Sequence, residues 1–111
     1  MIGTLKLIAS PAYMSNSAAN IYTPPASTIY TIIRHIHIAN VTAGVVTFSL
    51  YVGATGGSAG GTQLFGGHSI PANSPFDYFC VMKMLSTDFL SGVASAATSL
   101  VITVEGEQVV V

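Results

Sequence analysis

The chain has very little charge. Its 111 residues include three Lys or Arg and four Asp or Glu, so 6% are charged and the formal net charge is −1. A typical soluble domain has about 25% charged residues. Proteins that bind nucleic acid or an anionic membrane surface need clustered basic residues. Because Lys6, Arg34 and Lys83 lie far apart in sequence, we expect neither partner.

Long apolar runs are also absent. Hydrophobic residues make up 50% of the chain, but Thr, Ser, Asn, Gly and Pro interrupt every run before it reaches the roughly 20 residues of a membrane-spanning helix. The first ten residues lack the basic start and longer apolar region of a secretory signal peptide. We therefore expect a single domain without a membrane partner, synthesised in the cytoplasm.

Groups of residues that could perform catalysis, form disulfides or bind a cofactor are scarce as well. The single cysteine, Cys80, excludes an intrachain disulfide framework and a Cys-rich zinc site. The sequence has no Gly-x-Ser-x-Gly motif, and its four acids form no obvious acid–base pair. The glycine-rich run 55–62 lacks the Lys-Ser/Thr ending of a phosphate-binding loop and is typical of a surface hairpin loop. We predict no catalytic residues, no cofactor and no enzymatic activity.

What the chain does have is β-strand patterning. Residues 45–52 and 99–105 alternate between apolar and polar side chains, as a half-buried strand does. Residues 28–39 predict a long strand, with Ile32, Ile36 and Ile38 on one face and Ile33, His35 and His37 on the other. Residues 76–84 predict a strand that is largely apolar on both faces, which indicates contact on both sides. Residues 88–97 favour a strand over a short helix.

These segments predict an all-β chain. Seven or eight short strands with turns every ten to sixteen residues are typical of an antiparallel β-sandwich or jelly roll. Residues 21–111 would form the domain. Residues 1–20 would form an N-terminal arm or linker that could include an edge strand. Residues 40–44 would close a hairpin between two of the strands.

Two groups of side chains are candidate sites. His35 and His37 lie two apart on a strand, so their side chains share a face about 6 to 7 Å apart, and with His68 they could form a three-histidine metal site. No carboxylate is adjacent in sequence, so we predict a polar stripe or a subunit contact and no metal. Tyrosines could instead form a sugar-stacking surface, namely Tyr13, Tyr22, Tyr30, Tyr51 and Tyr78.

Four segments carry a resemblance to a known class of proteins: residues 29–40, 45–52, 69–74 and 99–107. Their order is a strand ending in Asn, an alternating strand, an Ile-Pro-Ala-Asn loop and a Thr-Val-Glu-Gly exit. In this order the chain resembles small β-sandwich structural proteins of tailed bacteriophage virions.

The resemblance implies a virion protein without catalytic residues, made in the cytoplasm of the host. Our first interpretation is a capsid decoration or cement subunit that packs against copies of itself, with a trimer as one arrangement, and against the major capsid protein or other virion proteins. Low charge suits this role because faces buried in an assembly then avoid desolvating charges. The alternatives are a tail or head-to-tail connector component, and a carbohydrate-binding module of a tail fibre or spike. The sequence does not identify the assembly contacts.

Overall fold

The computed structural model describes residues 3–57 and 60–111 and is all-β, as predicted. Eight strands form two four-stranded antiparallel sheets. The strands are β1 (Gly3–Tyr13), β2 (Ala19–Tyr22), β3 (Thr28–Asn40), β4 (Val46–Gly53), β5 (Gln63–Ile70), β6 (Pro75–Leu85), β7 (Phe89–Ala94) and β8 (Leu100–Val110). A short 3₁₀ turn, Gly60–Thr62, precedes β5. Among the described residues no helix has the length and apolar content needed to cross a membrane.

The strand order identifies the sandwich as a jelly roll. Sheet A has the order β1-β8-β3-β6, and sheet B has the order β2-β7-β4-β5. The first strand pairs with the last, the second with the seventh, the third with the sixth and the fourth with the fifth, each antiparallel. The chain is therefore one long hairpin that is wound over itself into two facing sheets, which is the architecture of a jelly roll.

The core lies between the sheets and follows the predicted alternation. In β4 the side chains of Val46, Phe48 and Leu50 are buried, as expected. They face buried residues of sheet A, among them Ile36 and Val104. Burial of each such side chain contributes about 1.5–3 kcal/mol, so the interleaved apolar positions of β3, β4 and β8 hold the sheets together.

The expected division of faces along β3 is wrong in its first half. Ile33, assigned to the histidine face, is fully buried together with Ile36 and Ile38, whereas Ile32 is only partly buried. The reason is a shift in pairing register between Ile33 and His35, which occurs against both neighbouring strands. The shift interrupts the two-residue period, and a pattern based on strict alternation cannot anticipate it.

Residues 40–44 do not close a hairpin, because β3 belongs to sheet A and β4 to sheet B. The segment crosses between the sheets, and the buried side chain of Asn40 organises the crossing. Its Nδ2 donates to the carbonyl oxygens of Gly44 at 2.8 Å, Ile70 at 3.0 Å and Pro71 at 3.1 Å. Its Oδ1 accepts from the backbone N–H of Thr42 at 2.9 Å. One amide thereby joins two crossings at the same end of the sandwich.

The first two strands, β1 and β2, lie in or next to the segment that was expected to form an arm or linker. Gly3–Tyr13, expected within an arm or linker, is the edge strand of sheet A and pairs with β8. Ala19–Tyr22 pairs with β7 in sheet B. The division of the chain into an arm and a domain at residue 20 stays a prediction. Within residues 88–97 the strand interpretation is confirmed, because Phe89–Ala94 pairs with β4.

Candidate interaction face and its histidine cluster

Charge is confined almost entirely to one sheet. Of the seven Asp, Glu, Lys and Arg residues, six lie on strands of sheet A and the seventh, Asp88, lies in the turn after β6. The four strands of sheet B carry none. The backbone N–H of Leu85 donates to Asp88 Oδ2 at 2.8 Å, so this carboxylate closes a turn. The side of sheet A that faces away from the sandwich is called here the outer face, and it carries most of these charged side chains. Lys6 instead donates to the buried side chain of Gln108 at 2.8 Å.

A bulge in β3 directs two consecutive polar side chains to this outer face. Ile33 and Ile36 are both buried, and Arg34 and His35 between them both contact glutamates of β8. A regular strand would place these two neighbours on opposite faces. Opposite the bulge, a Cβ on Gly106 would overlap the carbonyl oxygen of Ile32. The close approach of β3 and β8 at this point therefore requires glycine.

The histidine cluster is centred on Asp77, which lies opposite His37 in the β3–β6 ladder. Asp77 Oδ1 lies 2.6 Å from His37 Nδ1 and 2.8 Å from His35 Nε2. The other ring nitrogen of His35, Nδ1, lies 3.3 Å from Glu105 Oε1. The ring of Phe79 stacks on His35 with centroids 4.3 Å apart and planes 3° from parallel. His35 is therefore held between two carboxylates and against an aromatic ring.

The cluster favours the ionised form of Asp77. Hydrogen bonds from His37 and then from His35 hold the pKa of the Asp77 carboxyl below its ordinary value of 3.8. These bonds stabilise the carboxylate and not the neutral acid. Cys80, on the opposite side of the same strand, behaves differently: burial raises the pKa of its thiol. Its Sγ donates to the carbonyl oxygen of Ile33 at 3.3 Å, as expected for an inert thiol.

The remaining charges of the outer face are also partnered. Arg34 Nε donates to Glu107 Oε2 at 2.6 Å, and the two residues form an ion pair. Lys83 Nζ lies 4.8 Å from the centroid of the Tyr30 ring, within the range of a cation–π contact. Glu105 and Glu107 both lie on β8, an interior strand of the sheet between β1 and β3.

Apolar side chains flank this polar strip at both edges of the sheet. On β1, Leu5 and Leu7 are 73% and 48% exposed, and on β6, Phe79 and Val81 are 73% and 74% exposed. Leu85 follows on β6 and is also exposed. An open groove of about 460 Å³ runs between β1 and the bulge. The outer face thus combines exposed apolar edges with an internally paired polar centre.

Of the three histidines considered as a possible metal site, the structure brings two together, His35 and His37. His68 lies on β5 in sheet B, where its ring packs against Phe76 with centroids 4.6 Å apart and also contacts Phe48 and Phe65. Asp77, not His68, completes the cluster with His35 and His37. Asp77 and its neighbour Glu105 had no signal in the sequence, because they reach the histidines only through the long-range pairing of β3 with β6 and β8.

The tyrosines are distributed over separate environments. The hydroxyl of Tyr22 shares a hydrogen bond of 3.0 Å with Thr31 Oγ1 between the sheets. Tyr78 packs edge-on against Phe65 with centroids 5.0 Å apart, and Tyr30 contacts Lys83. These three aromatic rings therefore have partners within the fold and do not form one common surface.

Comparison with solved structures gives a distant structural likeness. No family model matches this chain, and no curated protein matches it. A solved structure described as a pentameric capsid protein isolated from metagenomic phage sequences aligns with 94% of this chain at 18% identity, with a TM-score of 0.36. The chain spans 62% of the length of that capsid protein. A likeness this distant does not assign a function.

Proposed function

We propose that this chain is a non-enzymatic structural subunit of a bacteriophage virion. It decorates or cements the capsid by packing against copies of itself and against other capsid proteins. The observation that carries the proposal is the outer face of sheet A, where five large apolar side chains are exposed at the sheet edges: Leu5, Leu7, Phe79, Val81 and Leu85.

The chemistry of this face suits burial in an assembly. Transfer of apolar surface out of water drives association, at roughly 25 cal/mol per Å². The opposing cost is the desolvation of charges, which is greatest for a charge without a partner. Here Arg34 is paired with Glu107, and Asp77 with two histidines. A partner that covers the face therefore leaves each of these charged groups with its partner within the chain.

The fold supports the same proposal, though not alone. Jelly rolls occur in viral capsid proteins, and also in lectins and cupins, so architecture by itself does not select a function. The resemblance of the sequence to small virion proteins favours the first of these. The separate environments of Tyr22, Tyr30 and Tyr78 disfavour a sugar-stacking surface built from tyrosines. A tail or head-to-tail connector role uses the same packing chemistry and is the second candidate.

The packing test compares two exposed valines. Val81 lies on the outer face and is 74% exposed, whereas Val45 lies in the crossing between β3 and β4 and is 68% exposed. Sedimentation at micromolar concentration should show an oligomer for the unmodified chain and for Val45→Lys. Val81→Lys should shift the distribution to monomer, because a lysine on an exposed strand face opposes association. A stable soluble monomer for the unmodified chain would contradict the proposal.

The location test is the position of the chain in an intact particle. Density on the head supports decoration or cementing, and density at the tail or the head-to-tail joint supports the connector role. Absence from purified particles would overturn the virion assignment. Binding on a glycan array by Val81→Lys, with self-association lost, would instead support the carbohydrate-binding alternative.

A further inference from the structure

The cluster on the outer face has the donor set of a metal site. His35 Nε2, His37 Nδ1 and a carboxylate oxygen of Asp77 all lie within 4.8 Å of one another. Imidazole nitrogen and carboxylate oxygen are ligands of zinc, which binds them at about 2.0–2.2 Å. Two strands supply the three groups, so the β3–β6 ladder, and not a loop, sets their spacing.

The two carboxylate contacts of His35 are compatible with a cation beside its ring. Both of its ring nitrogens face carboxylate oxygens, those of Asp77 at 2.8 Å and Glu105 at 3.3 Å. An ionised carboxylate only accepts hydrogen bonds, and a neutral imidazole has one donor and one acceptor nitrogen. A neutral His35 therefore cannot satisfy both contacts. If Nδ1–H donates to Glu105, Nε2 carries a lone pair. That lone pair then faces the carboxylate of Asp77, and neither group can donate a hydrogen to the other.

A divalent cation removes this conflict. It would accept the lone pair of His35 Nε2 and the charge of Asp77, while Nδ1–H donates to Glu105. Metal-bound histidines commonly donate their other ring N–H to a carboxylate in this way, which fixes the tautomer and the ring orientation.

The three ligand atoms must rearrange to bind a metal ion. Around a tetrahedral zinc ion with bonds of about 2.0–2.1 Å, neighbouring ligand atoms lie about 3.3 Å apart. The contacts of Asp77 Oδ1 with the histidine nitrogens are 2.6 and 2.8 Å. Rotation of the Asp77 side chain, which is 38% exposed, can open these two contacts by about 0.5 to 0.7 Å. The two histidine nitrogens, which lie within 4.8 Å of each other, must also reach a separation of about 3.3 Å. Phe79 stacked on His35 keeps that ring in place.

We propose that His35, His37 and Asp77 form a site for a divalent transition-metal ion of the zinc class, with Glu105 positioning His35. Three protein ligands leave a further coordination position, which opens on the outer face because His37 and Asp77 are each 38% exposed. The proposal revises the sequence-based prediction of no metal. It does not rest on the virion role, because it concerns an affinity of the isolated chain.

The test is titration of the full, tag-free chain with zinc chloride at neutral pH after treatment with a chelator. We expect one ion per chain, a rise in Tm with zinc, and a visible absorption spectrum with cobalt. Glu105→Gln should weaken binding about 10–100-fold. His37→Gln and Asp77→Asn remove ligands and should weaken it further, and neither zinc nor cobalt should then produce these signals.

Two variants serve as matched controls. His68→Gln removes the histidine outside the cluster, and Asp88→Asn changes a carboxylate of the turn after β6 in the same way as Asp77→Asn changes the cluster. Both should bind zinc as the unmodified chain does. The proposal is overturned if the unmodified chain does not bind zinc at millimolar concentration, or if folded His37→Gln and Asp77→Asn bind it equally well. Circular dichroism verifies that each variant is folded.

Discussion

The central strand pairs of the two sheets are built differently. In sheet B, β4 and β7 pair without a register shift from Phe48 opposite Ala94 to Gly53 opposite Phe89. In sheet A, the pairing of β3 with β8 shifts between Ile33 and His35. The regular pair belongs to the sheet without charged residues, and the interrupted pair belongs to the sheet that carries six of the seven.

The register shift in sheet A explains how β3 presents a cluster of polar side chains on one face. Strict alternation spaces outward side chains two residues apart, so a regular β3 could not present both Arg34 and His35. The bulge lets these neighbours contact Glu107 and Glu105 on the same strand. Ile33 and Ile36 remain in the core on either side. Sheet A thereby gains a polar cluster while both of these isoleucines stay buried.

The largest expected loss of stability comes from adding a side chain at the point where β3 and β8 approach each other at the bulge. Gly106→Ala places a methyl group against the backbone oxygen of Ile32, which cannot move aside as a side chain could. We expect a loss of about 3 kcal/mol or more in the free energy of unfolding, measured by urea denaturation. Gly44→Ala is the control, because a Cβ there meets nothing within 4 Å. Its effect should stay within about 0.5 kcal/mol. Equal effects of the two substitutions would show that the bulge is not tightly packed.

A smaller loss of stability should follow from removing a buried amide that links the two sheets. Gln108 of β8 receives a hydrogen bond from Lys6 Nζ at 2.8 Å and donates to Thr28 Oγ1 at 2.9 Å and to the hydroxyl of Tyr22, in sheet B, at 3.3 Å. Gln108→Ala leaves these groups without their partner and should cost about 2 kcal/mol in the same assay. Gln63→Ala, at the exposed glutamine of β5, should be nearly neutral. A neutral Gln108→Ala would mean that water replaces the amide without loss.

The smallest effect concerns the response of sheet A to acid. The folded-state pKa of Asp77 is lowered by His37 and His35. Its stabilising contribution is therefore complete above the ordinary pKa of 3.8 that the carboxyl has in the unfolded chain, and is lost as the pH falls through the lower folded-state value. In buffer with a chelator, Asp77→Asn should be less stable than the unmodified chain at about pH 6, and the difference should shrink at about pH 2.5. A difference that is independent of pH would contradict this assignment.

The sequence predicted the positions of the strands better than it predicted which strands pair with each other. Alternation correctly identified the buried positions of β4, because the core imposes a two-residue period there. The pairing of β3 with β6 joins residues about forty positions apart, such as His37 and Asp77, and no local pattern encodes it. For the same reason Asp77 could not be recognised as the partner of the histidines, and His68 was considered in its place. The bulge escaped detection because Gly106, which permits the close approach of the two strands there, lies on β8 and not on β3.

The nested pairing of the strands has a consequence for how the chain reaches this structure. In sheet B, β4 and β5 are neighbours in sequence and can pair as soon as both have been synthesised. In sheet A, β8 lies between β1 and β3, so the sheet cannot close until the last strand is available. Contacts at such long sequence separation form slowly, with folding in milliseconds to seconds for all-β domains. During that interval the apolar strands, with few charges to keep nascent chains apart, are exposed to aggregation.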